Sequence, residues 1–413
     1  MKRLVMVVIL LAGGSCAWAD VTVENEVPIR LNGEIRHRLE ADDKDFSSAA
    51  DSGLSTIDLL RTRVSLSIAP TEDLIFFTQL QDARKFGTET DTTNPVVPGA
   101  DPLDMHQAYL QIANFFKSGI DLKLGRLELS YGNERLIGSV GWSNIGRSFD
   151  GAVVRLARPR VWVDLIGVTV KENGLDGDAG DRYFVGVWGN ISGLAVAPDI
   201  FLLLDTDDHA GALSRYTTGF HLTGTRGALG HELEFAYQGG DYLGRAVSAL
   251  MAAGNVAYQL STELKPVLKL GLAYLSGDDD STDGKQTVFD TLFAANHKFY
   301  GYMDFFTDIP THTQQLGLVD VHTTIGVSCS DQTALTADYH YFLSAKESSA
   351  GAHRFGHEID FSLTHHYNPR LSFLVGVDLF VPGDLIKQQV GIDPRVSGRD
   401  SASFGYVQTT LKL

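Results

Sequence analysis

Arginines recur at alternate positions in the amino-terminal part of this chain. Arg36 and Arg38 lie within Leu31 to Glu40, and Arg61 and Arg63 open the run Arg61-Thr62-Arg63-Val64-Ser65-Leu66-Ser67-Ile68. A guanidinium group stays charged at any working pH and pairs with carboxylates in a fixed fork. A row of them on one face can pair with anionic groups. Arg155 has the same phase in a later segment. The competing reading is a ladder of ion pairs with Glu34, Glu40, Glu134 and Asp150 as partners. A second constellation lies further along. Asp279, Ser281, Asp283 and Asp290 fall at positions 1, 3, 5 and 12 of a calcium-loop spacing with Gly284 at position 6, although position 12 is Asp where Glu is usual. No flanking helices are evident, and the alternative is a solvated acidic loop. No cofactor other than that calcium ion is indicated. The chain has no Gly-x-Ser-x-Gly and no His-Glu-x-x-His. His365 and His366 are adjacent, which in a strand sends their rings to opposite faces. A barrel hydrolase that assembles His and Ser from distant strands is the remaining enzymatic reading.

The arginines can share one space only if the segments carrying them are strands. In Arg61 to Ile68, Arg61, Arg63, Ser65 and Ser67 share one face while Val64, Leu66 and Ile68 share the other. Leu31, Gly33, Ile35 and Leu39 likewise oppose Glu34, Arg36, Arg38 and Glu40. The two-residue beat returns in Gln107 to Ile112, Glu232 to Gln238, Leu268 to Tyr274, Leu371 to Leu379 and Phe404 to Leu413. Turn signals such as Asn32-Gly33, Tyr131-Gly132-Asn133, Gly239-Gly240-Asp241 and Pro382-Gly383-Asp384 punctuate these segments. Ala246 to Gln259 fits a short helix as well as a strand. Cys329 ends the alternating segment from Val321 and reads as a small apolar wall residue.

Lys2 and Arg3, the apolar run Leu4 to Ala12 and the small-x-small Ala17-Trp18-Ala19 form a secretory signal, so residues 1–19 are expected to be removed. A lipoprotein attached through Cys16 is the competing reading. No later stretch approaches the roughly 18 apolar residues that a membrane helix needs. An export signal followed by strands with one polar and one apolar face predicts an all-β, transmembrane, antiparallel β-barrel of the bacterial outer-membrane type. It must be closed, because an open edge in lipid would leave amides unpaired. No linker divides residues 20–413, which read as a single barrel domain. At about 20 to 25 residues for each strand and its turns, roughly 16 to 18 strands fit. With 42 Gly, 12 Pro and 44% hydrophobic residues, the composition suits a turn-rich sheet rather than a disordered chain. The net charge is −17, and no nucleic-acid partner is expected. It says little about cargo, because the acids cluster in loop-like stretches: Asp42 to Asp45, Asp176 to Asp181, Asp205 to Asp208 and Asp278 to Asp283. Phe289, Phe293, Phe299, Tyr300, Tyr302, Phe305 and Phe306 make the segment 277–315 too apolar for water. It is expected to fold against the rim or into the lumen as a gate. Trp142 and Phe149 read as interfacial girdle residues, with stacking on sugar faces as the alternative.

Leu124 to Gly151 contains Gly125-Arg126, Tyr131-Gly132, Glu134-Arg135-Leu136, Trp142, Asn144 and Arg147-Ser148-Phe149-Asp150-Gly151. Ser276-Gly277-Asp278-Asp279, Phe289, Leu292-Phe293, His297 and Phe299-Tyr300-Gly301 follow in the same order. Together these blocks resemble the alginate export family of outer-membrane porins. The resemblance implies an 18-stranded barrel whose lumen carries arginines that guide a polyuronate chain outward. It adds Arg126, Arg135 and Arg147 to the conduit, with Asp150 as a pairing or substrate-contacting residue. Arg126 follows Leu122 and Leu124 by twos and so has lipid-facing phase, unless a bulge at Gly125 turns it inward. Implied partners are outer-membrane lipid, an anionic oligo- or polysaccharide and periplasmic export proteins, with the barrel a monomer. A general or nutrient-uptake porin without polyuronate specificity is the alternative.

Overall fold

The computed structural model describes residues 27–46, 54–86, 100–171, 181–194, 196–207, 213–390, 392–393 and 395–413. The signal segment and most of the Asp176 to Asp181 cluster lie outside them. Alternation becomes strand wherever the sequence carries it. The first nine strands are β1 (Ile29–Asp43), β2 (Ser55–Thr71), β3 (Leu74–Lys85), β4 (Asp101–Ile112), β5 (Ile120–Leu127), β6 (Phe149–Arg158), β7 (Val161–Lys171), β8 (Arg182–Ile191) and β9 (Ala197–Asp207). The rest are β10 (Leu213–Arg226), β11 (Leu229–Tyr242), β12 (Arg245–Gln259), β13 (Val267–Leu275), β14 (Lys285–Gln286), β15 (Leu318–Ser328), β16 (Thr333–Leu343), β17 (Arg354–His366), β18 (Leu371–Pro382) and β19 (Ala402–Lys412). The two-residue β14 runs parallel to β12 and belongs to a loop. The other eighteen pair antiparallel with their neighbours, and β1 closes the sheet by pairing with both β2 and β19. Ala246 to Gln259 is strand, inside β12. Cys329 follows β15 and is exposed in a turn rather than set in the wall.

The two faces of the wall differ as the two-residue period demands, since a slip by one residue would exchange them. Leu31, Ile35, Leu39, Val64, Leu270 and Val377 point outward and are exposed, while Arg36, Arg38, Glu40, Arg61 and Ser65 point inward and are buried. An apolar band of this extent suits lipid and not water. At the end of the barrel that holds Ile29 and Lys412, strands join through tight connections such as those at 72–73, 159–160 and 227–228.

At the other end, the connections 128–148 and 276–317 fold back into the barrel. They join there through backbone hydrogen bonds from Gly138 to the Phe293 carbonyl (2.8 Å), Phe293 to Leu136 (2.9 Å) and Ala295 to Glu134 (2.9 Å). Leu136, Ile137, Phe289, Phe293, Phe306 and Ile309 are buried in one cluster with the inward aromatics Phe184, Trp188, Phe201, Phe342 and Phe355. The protein's hydrophobic core is therefore inside the barrel and is made by these loops. Each fully buried Phe contributes about 1.5–3 kcal/mol toward keeping them there.

Candidate functional site

Strand alternation on β1 and β2 brings four arginines to one inward patch, with Arg36 directly opposite Arg61 and Glu34 opposite Arg63. Their partners are mostly oxygens of the 128–148 loop. Arg36 donates from Nη1 to the Gly141 carbonyl (2.7 Å) and from Nη2 to that of Ser143 (2.8 Å). Arg61 reaches the same two carbonyls at 3.3 and 3.1 Å and pairs with Glu34 at 2.7 Å. Arg38 binds Glu40 at 2.7 Å and the Trp142 carbonyl at 2.9 Å, with its guanidinium 3.8 Å above the Trp142 ring. Arg63 meets Gln81 (2.7 Å), His106 (2.9 Å) and Glu128 (3.3 Å). Three of the four thus have a carboxylate, and Arg36 has none among the described residues.

The other family arginines separate into two groups. Arg135 and Arg147 belong to the loop itself. Arg135 is buried, donates to Glu234 of β11 (3.1 Å) and to the Tyr300 hydroxyl (3.1 Å), and lies 4.0 Å from the Phe299 ring centre. Arg147 caps the Phe293 and Ala294 carbonyls, and burial pulls its guanidinium down to about 10, which leaves it charged at neutral pH. Trp142 stacks on His297 with centroids 4.2 Å apart, and Phe149 meets Phe293 edge-on at 5.2 Å. Neither is a girdle residue, because both rings are needed inside to bury the loops. Arg155 of β6 also faces inward and forks onto Asp164 at 2.6 and 2.7 Å, with Tyr131 on the same carboxylate at 2.8 Å.

Arg126 and Asp150 are not in this site. Gly125 has φ 127°, yet alternation runs on through it: Leu124 is exposed, Leu127 is buried, and Arg126 keeps the outward phase. It faces Asp150 across β5 and β6 at 3.8 Å, the carboxylate 62% exposed. Such a pair contributes at most about 1 kcal/mol. The double substitution Arg126→Ala with Asp150→Ala is expected to leave the reversal potential in a salt gradient unchanged; a shift there would put the pair back into the ion path.

The calcium spacing does not assemble either. Asp290 is paired with Arg215 of β10 at 2.8 Å, and Asp279 with Lys346 at 3.0 Å, a contact that holds the Asp279 carboxyl below its usual range. Ser281 and Asp283 are exposed, and Asp283 accepts from the Lys285 amide at 2.8 Å. Two of the four carboxyl or hydroxyl groups are held by cationic side chains on different elements, so the four do not converge.

Sequence reasoning passed over several inward groups. Arg182 and Arg215 both bind Asp205, at 2.7 and 2.9 Å. The same alternation rule would have found them, since Arg182 opens β8 and Arg215 is the third residue of β10, the two strands that flank Asp205 on β9. A block of inward acids on β15 to β18, Asp320, Asp338, Glu358, Asp360 and Asp378, was missed as well. Its signal is three Asp-x-His or Glu-x-Asp pairs: Asp320-Val321-His322, Asp338-Tyr339-His340 and Glu358-Ile359-Asp360.

Closed wall, polar interior and loops packed within it are a channel's architecture, and the sequence itself says which kind. The alginate export model matches residues 27–397. The chain belongs to the alginate export family. It is accordingly an outer-membrane channel, not an enzyme, and its outward face contacts membrane lipid. Among solved structures, OpdO of Pseudomonas aeruginosa is 12% identical with TM-score 0.64, covering 93% of this chain and 97% of that one. The outer membrane protein OprD of the same species is 12% identical (TM-score 0.62, 93% and 94% covered), and OccAB4 of Acinetobacter baumannii 11% (0.62, 93% and 98%). At such identities the likeness concerns the barrel fold. A search of curated protein sequences gives no match.

Proposed function

We propose that this alginate export family channel passes anionic saccharides of the polyuronate kind, or smaller organic anions, by passive diffusion along the β1–β2 arginine patch. One observation carries the reading: Arg36 donates to the neutral carbonyls of Gly141 and Ser143, shares both with Arg61, and has no carboxylate of its own among the described residues. A guanidinium–carboxylate contact is roughly twice as strong as one to a neutral acceptor. A uronate entering the lumen therefore outcompetes the loop carbonyls, and the loop returns when the sugar moves on. The contacts are shared among four arginines, so no one of them becomes a trap. A recess lined by both signs, Lys123 and Arg155 with Asp121, Glu128 and Asp164, continues the inner surface. The barrel acts as a monomer in this reading, and periplasmic proteins deliver the chain.

The acids of β15 to β18 favour a second reading, a general porin in which acidic and basic walls together give little ion preference. Single-channel recording in a salt gradient, before and after adding oligomers of mannuronate and guluronate, separates the two. Anion preference with length-dependent current block is the expected outcome; an unselective pore that the oligomers do not block would discard the polyuronate conduit in favour of the general porin.

A further inference from the structure

On the wall formed by β15 to β18 the inward positions carry negative charge and imidazole in place of arginine. The register sets His322 directly opposite His340, and His340 opposite Glu358. One step along the strands, Asp338, Asp360 and Asp378 form a second row, each opposite the next. Asp320, two residues before His322 on the same face, is wholly buried. It accepts from His340 Nδ1 at 2.9 Å on one oxygen and from His322 Nδ1 at 3.0 Å on the other. The His340 ring is fixed by stacking on Phe342, with centroids 5.2 Å apart, and the two imidazoles stand 5.5 Å apart. The His322 ring lies over Gly271 of β13, where a Cβ would collide with it. Strand β13 carries Lys269 on the same inward face, two residues from Gly271 and opposite Thr324.

From these positions we propose that Asp320, His322 and His340 form a binding site for one divalent transition-metal cation of the zinc class. The candidate donor atoms, one from each residue, lie within 4.8 Å of one another. Tetrahedral zinc with bonds of about 2.0–2.1 Å spaces its ligands about 3.3 Å apart, so binding draws the three donors together from within 4.8 Å and replaces the hydrogen bonds of the two imidazoles to Asp320, each ring keeping its proton on the nitrogen that faces away from the metal. Two imidazoles and one carboxylate select zinc, nickel, cobalt or copper over calcium and magnesium, which take oxygen ligands.

A second observation is independent of that geometry. Among the described residues, Glu358, Asp360 and Asp378 find hydrogen bonds only among their own carboxyl groups and with the Tyr302 and Met303 amides, and Asp338 Oδ2 is buried without a partner. Glu358 and Asp360 are fully buried and Asp378 is 1% exposed. No Lys or Arg among the described residues forms an ion pair with any of these acids or with Asp320; Lys44 is the cationic side chain whose field reaches Asp378, and Tyr302 and Asp304 of the inner loop face the same row. Glu358 Oε1 accepts from the Met303 amide at 2.8 Å. Ionising carboxyl groups crowded in a buried row is costly, and a dication beside Glu358 offsets part of that cost. The loop segment from Tyr300 to Met303 closes over this wall. This proposal depends on the barrel and its register, and stands whether or not polyuronate is the cargo.

The test uses untagged, chelator-treated full-length protein in detergent. Equilibrium dialysis against Zn²⁺ is expected to approach one equivalent, undisturbed by excess Ca²⁺ or Mg²⁺. His322→Gln and His340→Gln are each expected to weaken uptake at least about tenfold, with barrel integrity read from heat-modifiable electrophoretic mobility. Should either variant fail to fold, X-ray absorption on the zinc-loaded wild type decides alone, with two imidazole nitrogens in the inner shell as the expected result. No uptake, equal competition by Ca²⁺, wild-type affinity in a folded histidine variant, or an oxygen-only shell would each overturn the site. The last three would place the ion on the Asp338–Asp360–Asp378 row instead.

Discussion

Exchanging Arg36 and Arg61 together for glutamate should lower the anion-over-cation permeability ratio about tenfold, the change expected when the potential in a narrow, low-dielectric passage moves by a few kT. The two residues are directly opposed on β1 and β2, so the double exchange swaps two positive charges for two negative ones at one level of the lumen. It also has a mechanical consequence. Both guanidiniums donate to the Gly141 and Ser143 carbonyls, and a carboxylate there repels those oxygens. The loop must therefore let go of the wall, and conductance should rise as selectivity falls. Arg36→Gln with Arg61→Gln separates the effects: the amides can still donate, so the loop stays and selectivity drops by less. Reversal potentials measured in a tenfold salt gradient would read the change. If both double variants kept the wild-type value, the β1–β2 patch would not set ion preference and the conduit reading would fall.

The wall was legible in the sequence because lipid and lumen impose opposite demands on adjacent residues. The two-residue period alone assigns Arg61, Arg63 and Ser65 to the face opposite Val64 and Leu66, and the strand register agrees. Local turn signals were a poorer guide. Asn32-Gly33 lies within β1, and Gly239-Gly240 within β11, where Gly239 makes room for the ring of Tyr216 on the opposing strand. A glycine in a strand here marks a side chain lying across it, which a one-dimensional reading takes for a turn. What the arginines bind was not legible at all. Their partners Gly141, Ser143 and Trp142 are about a hundred residues away from Arg36 and Arg38, and they meet only because the loop returns into the barrel. The same return explains why Trp142 and Phe149 went to the wrong place: an aromatic residue near a strand end looks alike whether it meets a headgroup or an inner loop. Histidine and carboxylate rows on β15 to β18 were missed because each strand contributes only one or two residues, and the cluster exists only across strands.

The inner loops should be most sensitive to one wall residue that no motif names, Glu234. Its carboxylate is buried against Arg135, which is itself buried and held by the Tyr300 hydroxyl and the Phe299 ring. Glu234→Ala leaves that guanidinium without its paired carboxylate, only the field of Glu232 remaining, and stranding one member of a buried pair costs up to about 3–5 kcal/mol. The strain has an available release, because Arg135 sits on the 128–148 loop and the wall does not depend on it. Withdrawing the loop from the lumen returns the charge to water and leaves the eighteen-stranded ladder intact. Larger and noisier single-channel currents are therefore expected, together with new proteolytic cleavage between residues 128 and 148, while the far-ultraviolet strand signal stays as in the wild type. Replacing both partners, Arg135→Met with Glu234→Leu, removes the stranded charge and keeps the volume apolar, so the currents should return toward those of the wild type. Equal behaviour of the single and double variants would mean that the ion pair does not hold the loop, and that the apolar packing around Phe293 and Phe306 retains it unaided.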